Sequence, residues 1–217
     1  MKTNSELQHD VLEELKYEPS VDPAQIGVTA RDGIVTLSGM VKTHPEKWSA
    51  VRAAQRVLGV KAVADEIKVE LPFVFRRTDE EIAQAVLDAL RWDVIVPDER
   101  IQVKVSDGWV TLKGTVDYKY EHAAAEAAVH NLIGVKDILN RITIKPLATP
   151  FEIKAQIQKA FRRTAELNAR QINVAVHGNR VSLRGTVHSW AERDQAERAA
   201  WSAPGISQVE DDLTVAV

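Results

Sequence analysis

The residues best suited to hold a metal or shuttle a proton are six histidines: His9, His44, His122, His130, His177 and His188. They neither cluster nor recur at matching positions, as a metal site in a repetitive chain should, so no metal site is expected. The chain has no cysteine, which excludes disulfides, thiolate ligands and cysteine nucleophiles. It lacks Gly-x-Ser-x-Gly, His-Glu-x-x-His, a P-loop and a dinucleotide fingerprint. The expectation is a protein with no catalytic residues and no cofactor.

Two acidic groups could hold a hydrated cation: Asp10, Glu13, Glu14 and Glu18, and Glu210, Asp211 and Asp212. The plainer reading of the first, on a helix, is a solvated face. Basic residues concentrate later. Lys154, Lys159, Arg162, Arg163 and Arg170 are opposed only by Glu152 and Glu166. Residues 148–217 carry nine basic and eight acidic side chains, whereas residues 1–74 carry nine and eleven. A basic amphipathic helix suits an anionic membrane surface or an acidic partner; otherwise it is an outer face.

Apolar side chains in unexpected places give the other binding candidates. Trp48, Trp92, Trp109, Trp190 and Trp201 share no common position, which suggests contacts between repeated segments or an interface. Trp109 follows a turn and should be exposed unless covered. Leu71-Pro72-Phe73-Val74-Phe75, followed by Arg76-Arg77, is too apolar for an ordinary linker. Phe73 and Phe75 are therefore expected to be buried between segments or to insert into lipid.

The elements that carry these residues occur three times. Asp32-Gly33-Ile34-Val35-Thr36-Leu37-Ser38-Gly39 returns as Asp107-Gly108-Trp109-Val110-Thr111-Leu112-Lys113-Gly114. It returns again around Gly178-Asn179-Arg180-Val181-Ser182-Leu183-Arg184-Gly185. Thr3-x-x-Glu6, Thr78-x-x-Glu81 and Thr149-x-x-Glu152 each precede the closing glycine by 36 residues, and Gly59, Gly134 and Gly205 each follow it by 20. The copies thus align without a gap.

Each feature has a structural reason. Thr-x-x-Glu is a capping box that starts a helix. Leu7, Val11 and Leu15 mark the buried face of that helix, as do Ile82, Val86 and Leu90, and Ile153, Ile157 and Phe161. Alternation then marks two strands joined at Asp32-Gly33, Asp107-Gly108 and Gly178-Asn179. A second, alanine-rich helix is capped by Thr43 and Ser189 in copies 1 and 3, with Tyr118 in place of the cap in copy 2. Gly59, Gly134 and Gly205 are read as its left-handed C-terminal caps. Gly39, Gly114 and Gly185 are read as sites where a side chain would strike this helix. A last strand ends each copy. The fold class is therefore α+β: three tandem αββαβ modules, each with two helices on one face of a small mixed three-stranded sheet. The expected modules are 1–71, 76–146 and 148–217, with the short link Lys145-Pro146-Leu147-Ala148 fixing the angle between the last two.

The capped helix, the hairpin ending in Val-x-Leu-x-Gly, the alanine-rich helix and the Gly-Val before the last strand together resemble the BON domain, three times over. The resemblance implies a bacterial envelope or stress protein that binds phospholipid surfaces or acts as an interaction module. It also implies a potassium- or calcium-binding stress protein, or a holdase-like chaperone, as alternatives. The residues expected to touch lipid or a protein partner are Lys159, Arg162, Arg163 and Trp190, with Phe73 and Phe75 second.

The formal net charge of −3 gives no general attraction to nucleic acid. No stretch approaches the ~18 apolar residues of a membrane span. The polar start, Met1-Lys2-Thr3-Asn4-Ser5-Glu6, lacks a signal peptide's apolar region, which points to a cytoplasmic protein. A chain already relieved of its signal would look the same and be periplasmic.

Overall fold

The computed structural model describes residues 2–146, 149–163 and 171–215. Leu147, Ala148, Glu166 and Arg170, which entered the readings above, lie outside the described residues. Copy 1 consists of α1 (Asn4–Tyr17), β1 (Ile26–Arg31), β2 (Ile34–Val41), α2 (His44–Arg56) and β3 (Ala62–Val69). Copy 2 consists of α3 (Asp79–Trp92), β4 (Ile101–Ser106), β5 (Trp109–Val116), α4 (Lys119–His130) and β6 (Asp137–Ile144). Copy 3 consists of α5 (Pro150–Arg163), β7 (Ile172–His177), β8 (Arg180–Val187), α6 (Trp190–Trp201) and β9 (Gln208–Val215). The three sheets are ordered β1-β2-β3, β4-β5-β6 and β7-β8-β9. The αββαβ order is therefore realised three times.

In copy 1 the hairpin pairs Ile26 with Gly39, and β3 runs parallel to β2 with Ile67 beside Gly39. Copy 3 repeats this register, with Ile172 opposite Gly185 and Leu213 beside it. Parallel pairing requires a crossover, which the second helix of each copy supplies.

The helix starts follow from the capping boxes. Glu6 N–H donates to the Thr3 hydroxyl, and Thr3 N–H donates back to the Glu6 carboxylate at 2.8 Å. Thr78 with Glu81 and Thr149 with Glu152 repeat the exchange. These hydrogen bonds hold all three glutamates below the ordinary carboxylate range. At the second helix, Glu46 and Glu192 donate their N–H groups to Thr43 and Ser189. Tyr118 has no short acceptor to offer, yet Glu121 still takes the N–H groups of Asp117 and Tyr118.

The anticipated helix faces are buried: Leu7, Val11 and Leu15; Ile82, Val86 and Leu90; Ile153, Ile157 and Phe161. In copies 1 and 3 they pack with Val35 and Leu37, and with Val181 and Leu183, of the central strands, and Val110 and Leu112 of copy 2 are just as fully buried. Ala50, Ala125 and Ala196 give the second helix its contact face. The next contact point is Ala54, Val129 and Ala200, with Ala53 buried as well in copy 1.

Two glycine roles differ from expectation. A Cβ on Gly39 would stand 2.0 Å from the carbonyl oxygen of Gln25, with 2.1 Å for Gly114 against Arg100 and 2.0 Å for Gly185 against Gln171. Backbone entering the first strand, not the alanine-rich helix, excludes a side chain. The φ angles of +129°, +154° and +139° independently favour glycine. The second helices end at Arg56, His130 and Trp201, so Gly59, Gly134 and Gly205 lie in the following turn rather than at the helix cap. Their positive φ turns the chain toward the hairpin, where Lys61 N–H and Lys136 N–H donate to the carbonyls of Gly33 and Gly108. Gly178 alone takes positive φ in the third hairpin turn among the described residues, whereas Asp32 and Asp107 share it with Gly33 and Gly108.

The chain forms two compact units. One contains residues 1–89, 103–111 and 127–139; the other contains 90–102, 112–126 and 140–217. Copy 2 contributes to both.

Candidate functional site

Copy 3 holds the basic candidates. Lys159, Arg162 and Arg163 on α5 are exposed. None is held by an ion pair among the described residues. The opposite face of the helix is anchored by Ile153, Ile157 and Phe161, so the cations are fixed outward. Trp190 opens α6 directly after the Ser189 cap and is 66% exposed, with the Arg193 guanidinium 5.2 Å from its ring. In copy 1 the chain leaving α1 reaches the first turn of α2, where Asp22 N–H donates to Glu46 at 3.1 Å.

The Phe-x-Phe segment divides. Phe73–Phe75 forms a single 3₁₀ turn. Phe73 is 85% exposed, whereas Phe75 is partly covered and lines a small cleft with Leu71, His44, Pro45 and Ile133. Burial of both rings is therefore not what the chain does. Arg77 donates to the carbonyls of Val74 and Arg76, and Arg76 to that of Leu71. Both guanidinium groups fold back on the linker that carries them.

The carboxylates offered for a cation are already engaged. Asp10 pairs with Lys2, Glu13 with Lys16, and Glu14 and Glu18 with Arg56. Arg56 and Lys16 hold Glu18 and Glu13 below the ordinary carboxylate range. Glu210 pairs with Arg180, Asp211 with Arg193 and Asp212 with Arg184. Among the described residues no three histidine or acidic side chains form a metal-holding group. No described helix is long and apolar enough to cross a membrane.

A polar position that sequence reading missed recurs in every copy. Lys47 on α2 pairs with Asp65 on β3 at 3.1 Å, and Arg193 on α6 with Asp211 on β9 at 2.6 Å. In copy 2 the matching residues are His122 and Asn140, whose Nδ2 donates to the His122 carbonyl at 3.2 Å and to Glu126 at 3.0 Å. Asp65, Asn140 and Asp211 each also accept the N–H two residues along the strand. The gap-free repeat contained the signal: a basic residue at one fixed position, and Asp or Asn at another.

Lys47 also joins two copies. Its ammonium lies 2.9 Å from Asp137 at the start of β6. His44, 7% exposed, places Nδ1 3.3 Å from the His130 carbonyl and its ring edge-on to the His130 ring. Trp48 meets the same His130 ring, and the Arg52 guanidinium lies over the Trp48 ring at 4.7 Å. Burial pulls the Lys47 ammonium down, but hydrogen bonds and charge from Asp137 and Asp65 outweigh it and leave it above the ordinary lysine value.

The sequence profile of the BON domain matches residues 3–70, 78–146 and 151–217. The chain belongs to the BON-domain family. This BON protein is related to osmotically-inducible protein Y of Escherichia coli (strain K12), at 31% identity over 130 residues. That match covers 58% of this chain and 65% of the relative, just under two thirds of its length. An uncharacterised protein of Anaplasma centrale is 30% identical over 118 residues, covering 50% of this chain and 77% of that one. Among solved structures, the C-terminal domain of CdsD, a structural protein of the type III secretion system of Chlamydia trachomatis, aligns over 100% of both chains. The identity is 14% and the TM-score 0.29, too loose to bear on function.

Within these BON modules the non-repeating tryptophans divide as their positions allow. Trp109, after the second hairpin turn, is 52% exposed, and Trp92 at the end of α3 is 85% exposed. Trp201 is partly buried and donates to Glu197. Trp48 takes part in contact between copies through the His130 ring.

Proposed function

We propose that this BON protein is a non-catalytic component of a bacterial stress response that associates with anionic phospholipid surfaces through its third module. The stress setting comes from its relationship to an osmotically-inducible protein. The observation that carries the lipid reading is the outward-fixed trio Lys159, Arg162 and Arg163, held by no ion pair among the described residues, in the module that also exposes Trp190. Cationic side chains gain from the negative potential of an anionic leaflet, and an exposed indole suits the headgroup boundary. Phe73 offers a separate apolar contact on the first unit.

Co-sedimentation with vesicles of phosphatidylglycerol and phosphatidylcholine, against phosphatidylcholine alone, tests it. Binding should require the anionic lipid and should be lost in R162E/R163E. No binding at low salt, or equal binding to neutral vesicles, overturns it.

A further inference from the structure

The junction between copies 1 and 2 is made by two distinct surfaces. One is the start of a second helix, Thr43, His44 and Pro45. The other is the turn of the following copy, Leu132, Ile133, Gly134 and Val135. The matching surfaces touch once more: Gly205 N–H, in the turn of copy 3, donates to the carbonyl of Asp117 just before α4, at 2.9 Å. The module therefore has a donor end and an acceptor turn, and each copy's donor end meets the next copy's turn.

Burial follows this rule. The acceptor residues Gly134 and Val135 are buried, and so are Gly205 and Ile206. In copy 1, which has no preceding module among the described residues, Gly59 is exposed, Val60 only half-buried, and Leu58 80% exposed. The donor end shows the reverse. His44 is 7% exposed in copy 1, the matching Lys119 is half-buried in copy 2, and the matching Trp190 is 66% exposed in copy 3.

We infer that a second copy of this chain occupies these two free surfaces head to tail, with Trp190 of one molecule seated on the Leu58–Gly59–Val60 turn of the next. The fit is inherited from a junction the fold already makes. A heterologous contact of this kind leaves one donor and one acceptor free after each addition, so it closes into a ring or continues as a filament. Trp190 supplies the large aromatic anchor such interfaces favour. Ala62 stands where Asp137 stands in copy 2, so the Lys47-type bridge is missing and the new contact is mainly apolar.

Sedimentation velocity of the full chain over a concentration series, without lipid, tests this. The wild type should associate as concentration rises, with little dependence on salt. L58E and W190E should each sediment as monomers. An equimolar mixture of the two should form a 1:1 dimer and stop, because L58E keeps its donor end and W190E its acceptor turn. Both side chains are exposed, so unchanged melting curves are expected. R162E/R163E should associate like the wild type, which separates this inference from lipid binding. Hydrogen exchange supplies a test free of mutation: the Gly59 and Val60 amides should gain protection with concentration. A monomeric wild type at its highest soluble concentration, single variants that still associate, or a mixture that stays monomeric would each overturn the inference.

Discussion

Lys47 on α2 of the first copy donates to Asp137 on β6 of the second at 2.9 Å, while holding Asp65 of its own sheet at 3.1 Å. One ammonium thus joins the helix–sheet packing of a module to the junction with its neighbour. It is well shielded, with 13% of its side chain exposed against 22% for Asp137. Lys47→Ala strands two carboxylates and should cost about 2–3 kcal/mol of stability. The sign with pH follows from the raised lysine value. The contribution is complete below the unfolded value near 10.5 and is lost as pH rises through the higher folded value. Thermal melts of the variant and wild type should therefore differ at neutral pH and converge in strong alkali.

Copy 2 tests the same position from the other side. His122 lies below its ordinary value because burial disfavours its charge and Lys119 adds repulsion, with Glu126 opposing. The unfolded chain then binds the proton more readily. Stability from the neutral imidazole is present above pH 6.5 and lost as pH falls through that value toward the folded one. Replacing the pair to match copy 3, H122R with N140D, should abolish this acid slope. The two changes together should be more stable than their separate effects predict by about 1 kcal/mol. A double-mutant cycle in urea at pH 7 and pH 5.5 measures both effects.

Gly39, Gly114 and Gly185 combine a positive φ with a carbonyl oxygen where a Cβ would go. Alanine at any of them must displace the backbone entering the first strand or give up strand register. Gly185→Ala should cost about 2–3 kcal/mol. Gly178→Ala meets no atom within 4 Å and bears only the strain of its φ of +61°, so it should cost less, about 1 kcal/mol. Equal losses at the two sites, measured by denaturant midpoint, would contradict the steric account.

What the sequence disclosed follows the range of the interactions. Thr3 with Glu6, or Leu7 with Val11 and Leu15, are neighbours on one helix, so their spacing states their contact. Gly39 was recognisable as special, but its reason lies in Gln25, in a 3₁₀ turn that no periodicity marks. Lys47 and Asp137 are 90 residues apart, and only Lys47 has a counterpart of similar type in another copy. Phe73 and Phe75 share composition and spacing, yet one turn of 3₁₀ helix exposes one ring and half-covers the other. For the same reason the cation reading of Glu14 and Glu18 fails: Arg56, which neutralises them, arrives from another helix.

The basic end of copy 3 should act by charge more than by shape. A Lys or Arg near an anionic leaflet contributes about 1 kcal/mol, so replacing Lys159, Arg162 and Arg163 by alanine should weaken vesicle binding by about 100-fold. Screening shortens with ionic strength, to ~3 Å at 1 M salt, so wild-type binding should fall steeply as salt is added while the triple variant changes little. Trp190→Ala leaves the charges in place. It should weaken binding at every salt concentration without altering the salt slope, because the indole contributes through the apolar boundary of the headgroups. Vesicle titrations of the three proteins across a salt series resolve these two contributions. A triple variant with the wild-type slope would locate the lipid contact elsewhere on the chain.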